Sequence, residues 1–344
     1  MTAKPRVLIV NDDGPPSASS PYVLQLFQEL VALGWDVRVV LPSSQKSWSG
    51  TNYTVHDAQL RYWYYYPLRD NFDGSHPDTQ RCWSNTRRTI DHHRGEIAEW
   101  VLVDGTPSTC TNIGLFTGNT LFGTPDAPPI SLVVSGPNYG RNTGTAFSVS
   151  SGTLGGALAG ALGDVRGVAI SYGHFRECPP CLDGRTDASP LTPDEETEMR
   201  TLASRHSASI LTQLWEHWDD DAAVQVYAMN VPLCECLREP KVVWTRIWMS
   251  RHMQQYVPPT KSHDDDSTRV RPLGVSPLPV QHAEHGSYLD FRPNLARAMR
   301  PGDGEPLEEG TDVWALCKGY IGISRLVASF AQVDSDGRAP PQCA

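Results

Sequence analysis

Residues 6–14 read Arg6-Val7-Leu8-Ile9-Val10-Asn11-Asp12-Asp13-Gly14, and this stretch decides the fold. Its apolar half has the length and branching of a strand buried on both faces, the kind that builds parallel sheets. It stops on an amide, two adjacent carboxylates and a glycine. In open α/β sheets, ligands sit at the carboxyl ends of the strands. Two neighbouring carboxylates repel each other unless a cation neutralises them. A set of oxygen ligands favours a hard ion such as Mg²⁺, Mn²⁺ or Ca²⁺. A plainer role stays open, in which either acid caps the following helix.

The sequence outward from this stretch repeats the same unit. Ser20 fits an N-cap and Pro21 a first helical position. Val23, Leu26, Phe27, Leu30 and Leu33 fall on one helical face, and Gly34 ends it. A second strand covers 36–41, so the first three elements form a β-α-β crossover with parallel strands. Further strands are expected at 100–103, 130–135, 168–171 and 224–229. Helices are expected at 107–115, behind Thr106 and Pro107, at 150–162, and from the capping box of Thr192 and Glu195 to about residue 218. Alternation of this kind predicts an α/β fold with a doubly wound, mostly parallel sheet. One domain over 1–330 is expected, with insertions near 62–96, 178–191 and 257–286, and a disordered tail over 331–344.

The 344 residues are enough for one large domain or two small ones, and 39% hydrophobic content supplies a sizeable core. A formal net charge of −10 disfavours nucleic acid polymers and anionic membranes as partners. It leaves room for a phosphorylated small molecule where a metal screens the site. No apolar run is long enough to span a bilayer, and no signal peptide is visible, so a cytoplasmic location is expected. The eight cysteines are thinly spread, which suits reduced thiols better than a disulfide framework. Cys178, Cys181, Cys234 and Cys236 form two close pairs, either a four-thiolate zinc site or ordinary thiols.

Three loops that follow predicted strands carry the chemistry. They are Asn11-Asp12-Asp13-Gly14, Gln45-Lys46-Ser47-Trp48-Ser49-Gly50 and Ser135-Gly136-Pro137-Asn138-Tyr139-Gly140-Arg141-Asn142. Parallel strands place such loops along one sheet edge. Two carboxylates, a serine hydroxyl and an asparagine oxygen would offer one divalent ion four oxygen ligands. Gly136, Gly140 and Gly144 allow close backbone approach to an anion, and Ser151-Gly152-Thr153 opens the next helix with N–H groups and hydroxyls. Each glycine also has a plainer use in turns or in helix-to-sheet packing. No Gly-Lys dipeptide, dinucleotide glycine fingerprint or nucleophile elbow occurs.

This ordered set resembles the stationary-phase survival protein SurE family of metal-dependent phosphatases and nucleotidases, and looks like its fungal branch. The matching residues are Asn11 to Gly14, Lys46-Ser47 with Gly50, Asp104-Gly105-Thr106-Pro107-Ser108-Thr109-Cys110, Ser135 to Asn142, Ser151 to Thr153, Thr311-Asp312 and Gly319-Tyr320-Ile321. The resemblance implies a Rossmann-like core and an extended C-terminal segment used in oligomerisation, as a homodimer or homotetramer. It implies a divalent metal, Mg²⁺ or Mn²⁺, on Asp12, Asp13, Ser47 and Asn138. Asn11, Gly14, Gly136, Asn142, Ser151, Gly152 and Thr153 are then the expected phosphate and substrate contacts. The implied activity is hydrolysis of phosphomonoesters, chiefly nucleoside monophosphates at the 5′ or 3′ position. Asp12 and Asp13 are the catalytic candidates, with ligand and proton-transfer roles both open. Alternatives are a broad acid phosphatase and a non-catalytic nucleotide-binding protein on the same fold. Pro137 and the longer stretch from Leu41 to Ser47 depart from the family pattern and bear on substrate preference. Two further segments have double readings. The run Tyr62-Trp63-Tyr64-Tyr65-Tyr66 is either a half-buried strand or a base-stacking platform. The apolar run at 242–248 either pairs with another subunit or packs on its own domain.

Overall fold

The first strand, β1 (Arg6–Val10), is buried along its whole length. The computed structural model describes residues 4–55, 59–174, 191–220, 223–258, 289–299 and 306–330. The chain continues through α1 (Val23–Ala32), β2 (Asp36–Pro42), β3 (Tyr62–Tyr65), β4 (Trp83–Ser84), β5 (Trp100–Val103), α2 (Pro107–Phe116), α3 (Gly118–Leu121) and β6 (Leu132–Tyr139). Then come α4 (Gly144–Ser150), α5 (Gly152–Leu162), β7 (Arg166–His174), α6 (Pro193–Glu216), β8 (Val226–Leu233) and β9 (Val242–Thr245). The last described elements are β10 (Tyr256–Val257), β11 (Asp290–Phe291), α7 (Ala296–Met299), α8 (Asp312–Cys317) and β12 (Ile321–Leu326).

Ten strands form one sheet in the order β4-β3-β5-β2-β1-β6-β7-β8-β12-β9. The six from β5 to β8 are parallel to one another. β12 runs antiparallel to β8, and β3 runs antiparallel to both β5 and β4. From β1 the chain winds first to β2 and β5, then returns to β6, β7 and β8 on the other side. The winding reverses between β1 and β6, which is where such sheets open a ligand crevice.

Alternation along β1 explains its unbroken apolar sequence. Val7 and Ile9 pack with Leu24, Leu26 and Leu30 of α1 and Leu211 of α6, whereas Leu8 and Val10 pack with Cys110 and Ile113 of α2. Both faces are covered, so the positions from Val7 to Val10 are all apolar. The capping box at Thr192 and the caps at Thr106 and Ser151 start α6, α2 and α5. Among the described residues, no helix is long and apolar enough to cross a membrane.

Several expectations need correction. Ser20 does not cap α1, whose N-cap is Tyr22 without a side-chain bond; its hydroxyl donates to the Gly14 carbonyl at 2.7 Å instead. β6 runs on to Tyr139, with an irregular register between Ser135 and Asn138, where a loop from 136 was expected. The separate helix α4 within the expected loop was not anticipated. The 62–96 stretch adds β3 and β4 to the sheet. Tyr64, Tyr65 and Tyr66 are buried there, so this aromatic run is a structural strand. The 178–190 and 259–286 portions of the expected insertions, Cys178 and Cys181, and the expected tail all lie outside the described residues.

Candidate active site

The turn after β1 is closed by Asn11, which is wholly buried. Its amide oxygen accepts from Gly14 N–H and its amide nitrogen donates to the Gly14 carbonyl, both at 2.9 Å. Gly14 has φ of +87°, a backbone state that side chains rarely adopt. Asn11 and Gly14 thus shape the turn that carries the two acids.

Asp12 and Asp13 are both 3% exposed. Asp12 Oδ1 accepts from Thr153 Oγ1 at 2.7 Å, and the backbone N–H groups of Thr153 and Gly152 also hydrogen-bond its carboxylate. The first turn of α5 therefore meets Asp12, where a phosphate was expected. Asp13 Oδ2 accepts from Tyr139 N–H at 2.7 Å, while its Oδ1 is buried without a hydrogen-bond partner. Burial pushes Asp12 up to about 6. Burial, and then the charge of Asp12, hold Asp13 well above the usual carboxylate range.

The loop after β2 is tied to this turn, since Lys46 N–H donates to the Asp12 carbonyl at 2.6 Å. Its far end is held by Gly50 N–H on the Ser150 carbonyl at 2.9 Å. Ser47 between them is exposed, its hydroxyl accepting from Gln45 Nε2 at 3.1 Å. At the end of β6, Asn138 donates from its amide nitrogen to the Gly140 carbonyl at 2.9 Å. Asn142 donates from Nδ2 to Ser171 Oγ at 2.8 Å and to Thr153 Oγ1 at 3.3 Å. A hydrogen-bonded chain thus runs from Asn142 through Thr153 to Asp12.

Asp12, Ser47, Asn138, Asn142 and Ser151 line one cavity of about 190 Å³. Asp13 and Thr153 lie behind that wall, and Gly136 lies within β6; neither these nor Asn11, Gly14 and Gly152 line it. Trp48, Tyr139 and Arg141, which lie in the expected site loops but were given no role there, line the same cavity, as do Phe147 and Leu295, which sequence reasoning missed. Trp48 and Tyr139 each directly follow a proposed ligand, a signal that was available. Arg141 is only 5% exposed, and its positive charge works to lower Asp312, whose carboxyl burial raises. Asp312 accepts from the N–H groups of Gly144 and Trp248, bracing the start of α4 against the segment after β9.

The donor chemistry suits a hard divalent cation. It comprises two buried acids that resist sharing negative charge, one with an unpartnered oxygen, and two neutral oxygen donors nearby. Among the described residues, no three His, Cys, Asp or Glu side chains gather as a metal site. Two carboxylates with Ser47 and Asn138 are a set of another kind. Cys234 is buried and Cys236 exposed.

The model of the family described as survival protein SurE matches residues 7–254. A yeast protein of Saccharomyces cerevisiae, named probable tubulin–tyrosine ligase PBY1, is 34% identical over 72% of this chain, which spans 31% of that protein. The 5′-nucleotidase SurE of Carboxydothermus hydrogenoformans is 29% identical over 67% of each chain. The 5′-nucleotidase SurE of Thermofilum pendens is 34% identical over 48% of each. The chain thus spans between about a third and two thirds of the length of these relatives. The crystal structure of the SurE protein from Aquifex aeolicus superposes with a TM-score of 0.54 at 21% identity, covering 94% of both chains, and so shares the fold. The matched stretch is well over half of the chain and contains β1, β6 and all three loops that meet at the cavity, and the chain belongs to the SurE family.

Proposed function

We propose that this protein is a divalent-metal-dependent phosphomonoester hydrolase acting on nucleoside monophosphates. One observation carries the reading: Asp12, Ser47 and Asn138 meet in one cavity at the β1/β6 crevice, with the buried Asp13 carboxyl beside Asp12. The 5′-nucleotidase names of the Carboxydothermus and Thermofilum relatives support the substrate class. The ligase name of the yeast relative belongs to a protein of which this chain spans 31%.

Asp12, Asp13, Ser47 and Asn138 would hold the ion, Mg²⁺ or Mn²⁺. When bound, it supplies a Lewis acid for a phosphoryl oxygen and lowers the pKa of a water. The chain's own residues do the positioning. Thr153 and the N–H groups at the start of α5 fix the Asp12 carboxylate, and Tyr139 N–H fixes Asp13. Burial raises both carboxyls, and the charge of Asp12 raises Asp13 further, so the pair resists carrying two negative charges without a cation. Arg141 places a fixed positive charge at the cavity wall, where phosphoryl oxygens gain negative charge. Asn142 and Ser151 offer polar contacts on the same wall. A homodimer or homotetramer is the proposed assembly, supported by the sheet-edge strand β9, where Val242 is 47% and Trp244 55% exposed.

The test is phosphate release from p-nitrophenyl phosphate and from AMP, after chelation and again with added Mn²⁺ or Mg²⁺. Turnover that needs the metal is the expected result. No release with any divalent ion would leave a non-catalytic nucleotide-binding protein as the better description.

A further inference from the structure

One part of the cavity wall is aromatic, and the polar chemistry does not account for it. Trp48 follows the proposed ligand Ser47 directly, is half-buried, and lines the cavity with Tyr139, Phe147 and Leu295. Its φ is +65°, a left-handed backbone state that is rare for a bulky side chain. Such states persist where the surroundings over-determine them, and they cluster at ligand clamps and active sites. Here the surroundings are three rings from distant parts of the chain. Phe147 of α4 lies 5.9 Å from the Trp48 ring at 61°, Phe291 of β11 lies 5.6 Å away at 79°, and His252 lies 5.8 Å away at 41°.

The angles matter more than the distances. Phe147 and Phe291 meet Trp48 edge-on and His252 is tilted, so among the described residues no ring lies flat against the indole. Tyr139, the other large ring on the cavity, is in a different state: it stacks on Tyr22 at 5.8 Å and 17°. One indole is thus buttressed by tilted rings, beside an oxygen-lined pocket, with no parallel partner.

We infer that Trp48 is the specificity-determining residue of this site, stacking against the planar base of a nucleoside monophosphate while its phosphate faces Asp12, Ser47 and Asn138. This rests on the proposed hydrolase reading for the phosphate end only. A flat aromatic platform takes any base, because every base presents a π-face. The expected behaviour is therefore broad use of nucleotides, with a preference for planar over aliphatic alcohol groups.

The test compares AMP with glycerol 2-phosphate in wild type, Trp48→Gly and Trp48→Phe. Glycine adopts the left-handed backbone freely, and phenylalanine keeps a flat ring. Loss of one stacked ring lowers affinity by roughly 10-fold or more. The ratio of kcat/KM for AMP over glycerol 2-phosphate should fall by that factor in Trp48→Gly, mostly through KM, and return most of the way in Trp48→Phe. A ratio within twofold of wild type in Trp48→Gly overturns the inference and leaves Trp48 as a support for the Ser47 loop. Calorimetric titration with adenosine separates the two readings. Adenosine binding that weakens in Trp48→Gly, in a wild type that hydrolyses neither ester, would sink the hydrolase and keep the platform. Metal-dependent turnover with adenosine affinity and the substrate ratio both indifferent to Trp48 would do the reverse.

Discussion

Replacing Gly155 with alanine should displace the loop that carries Ser47, because the helix beneath that loop has nowhere to go. A Cβ on Gly155 would lie 2.0 Å from the Gly50 carbonyl oxygen and 2.8 Å from its carbon. Both are backbone atoms, so no rotamer change relieves the clash. Reaching even 3.0 Å, the closest approach real Cβ atoms show, needs a movement of at least 1.0 Å (3.0 minus 2.0). α5 cannot supply it by moving toward the sheet. On that side a Cβ at Gly156 would already lie 2.6 Å from Ser135 Oγ, and one at Gly160 would lie 2.8 Å from Val133. Ser108 Oγ donates to the Gly155 carbonyl and Thr111 Oγ1 to the Gly156 carbonyl, which fix α5 against α2 as well. The loop must give way, and its Gly50 end is only three residues from Ser47.

Overpacking of this kind costs about 1–3 kcal/mol of stability. A misplacement of about 1 Å near reacting groups costs roughly 10²-fold in rate. Gly155→Ala should therefore remain folded, bind Mn²⁺ more weakly by calorimetry, and lose about two orders of magnitude in kcat/KM. Gly118→Ala is the control, since the nearest atom to its Cβ is Ile113 O at an ordinary 3.7 Å. It should match wild type in metal binding and activity. Wild-type metal affinity and turnover in Gly155→Ala would refute the reasoning, showing either that the wedge is soft or that Ser47 is not a ligand.

In the metal-free protein, folding should become less favourable as pH rises. Asp12 goes from 3.8 to about 6 on folding, so the folded state binds its proton more tightly. Stability is then fullest below about pH 4 and falls by about 3 kcal/mol through pH 6, with Asp13 extending the loss upward. Urea denaturation in chelator should show this slope in wild type relative to Asp12→Asn/Asp13→Asn; a difference that does not change with pH contradicts it. Saturating Mn²⁺ should reverse the slope, because it favours the ionised carboxylates. Thr153→Val removes the hydroxyl that donates to Asp12 at 2.7 Å. A hydrogen bond to a charged group is worth about 1.5–3 kcal/mol, so metal affinity should drop roughly 10-fold; an unchanged affinity by calorimetry would show that Thr153 does not hold the ligand. Light scattering at micromolar concentration should give a dimer or tetramer, and a monomer there would count against β9 as an interface edge.

What could be read in advance divides along a physical line. The parallel strands and the caps at Thr106 and Thr192 were legible, because each is set by residues a few positions apart. Ser20 was misread because a serine before a helix has two local partners, the helix N–H groups and the preceding turn, and the Gly14 carbonyl won. The extension of β6 through Gly136 and Pro137 was hidden, because glycine and proline read as punctuation unless a neighbouring strand continues the pairing, as β7 does at Ser171 and Tyr172. The polar wall was legible for the same reason as the fold: Asp12 and Asn138 sit at strand ends, so topology alone brings them together. The aromatic wall obeys no such rule. Phe147, Phe291 and Leu295 reach Trp48 or the cavity from α4, β11 and the segment before α7. They contribute only flat or apolar area, and many residues at many spacings do that equally well. Chemistry that needs particular atoms at a strand end leaves a motif in the sequence, whereas a surface that needs only shape leaves none. The residues that choose among substrates are therefore the ones to look for in the folded chain.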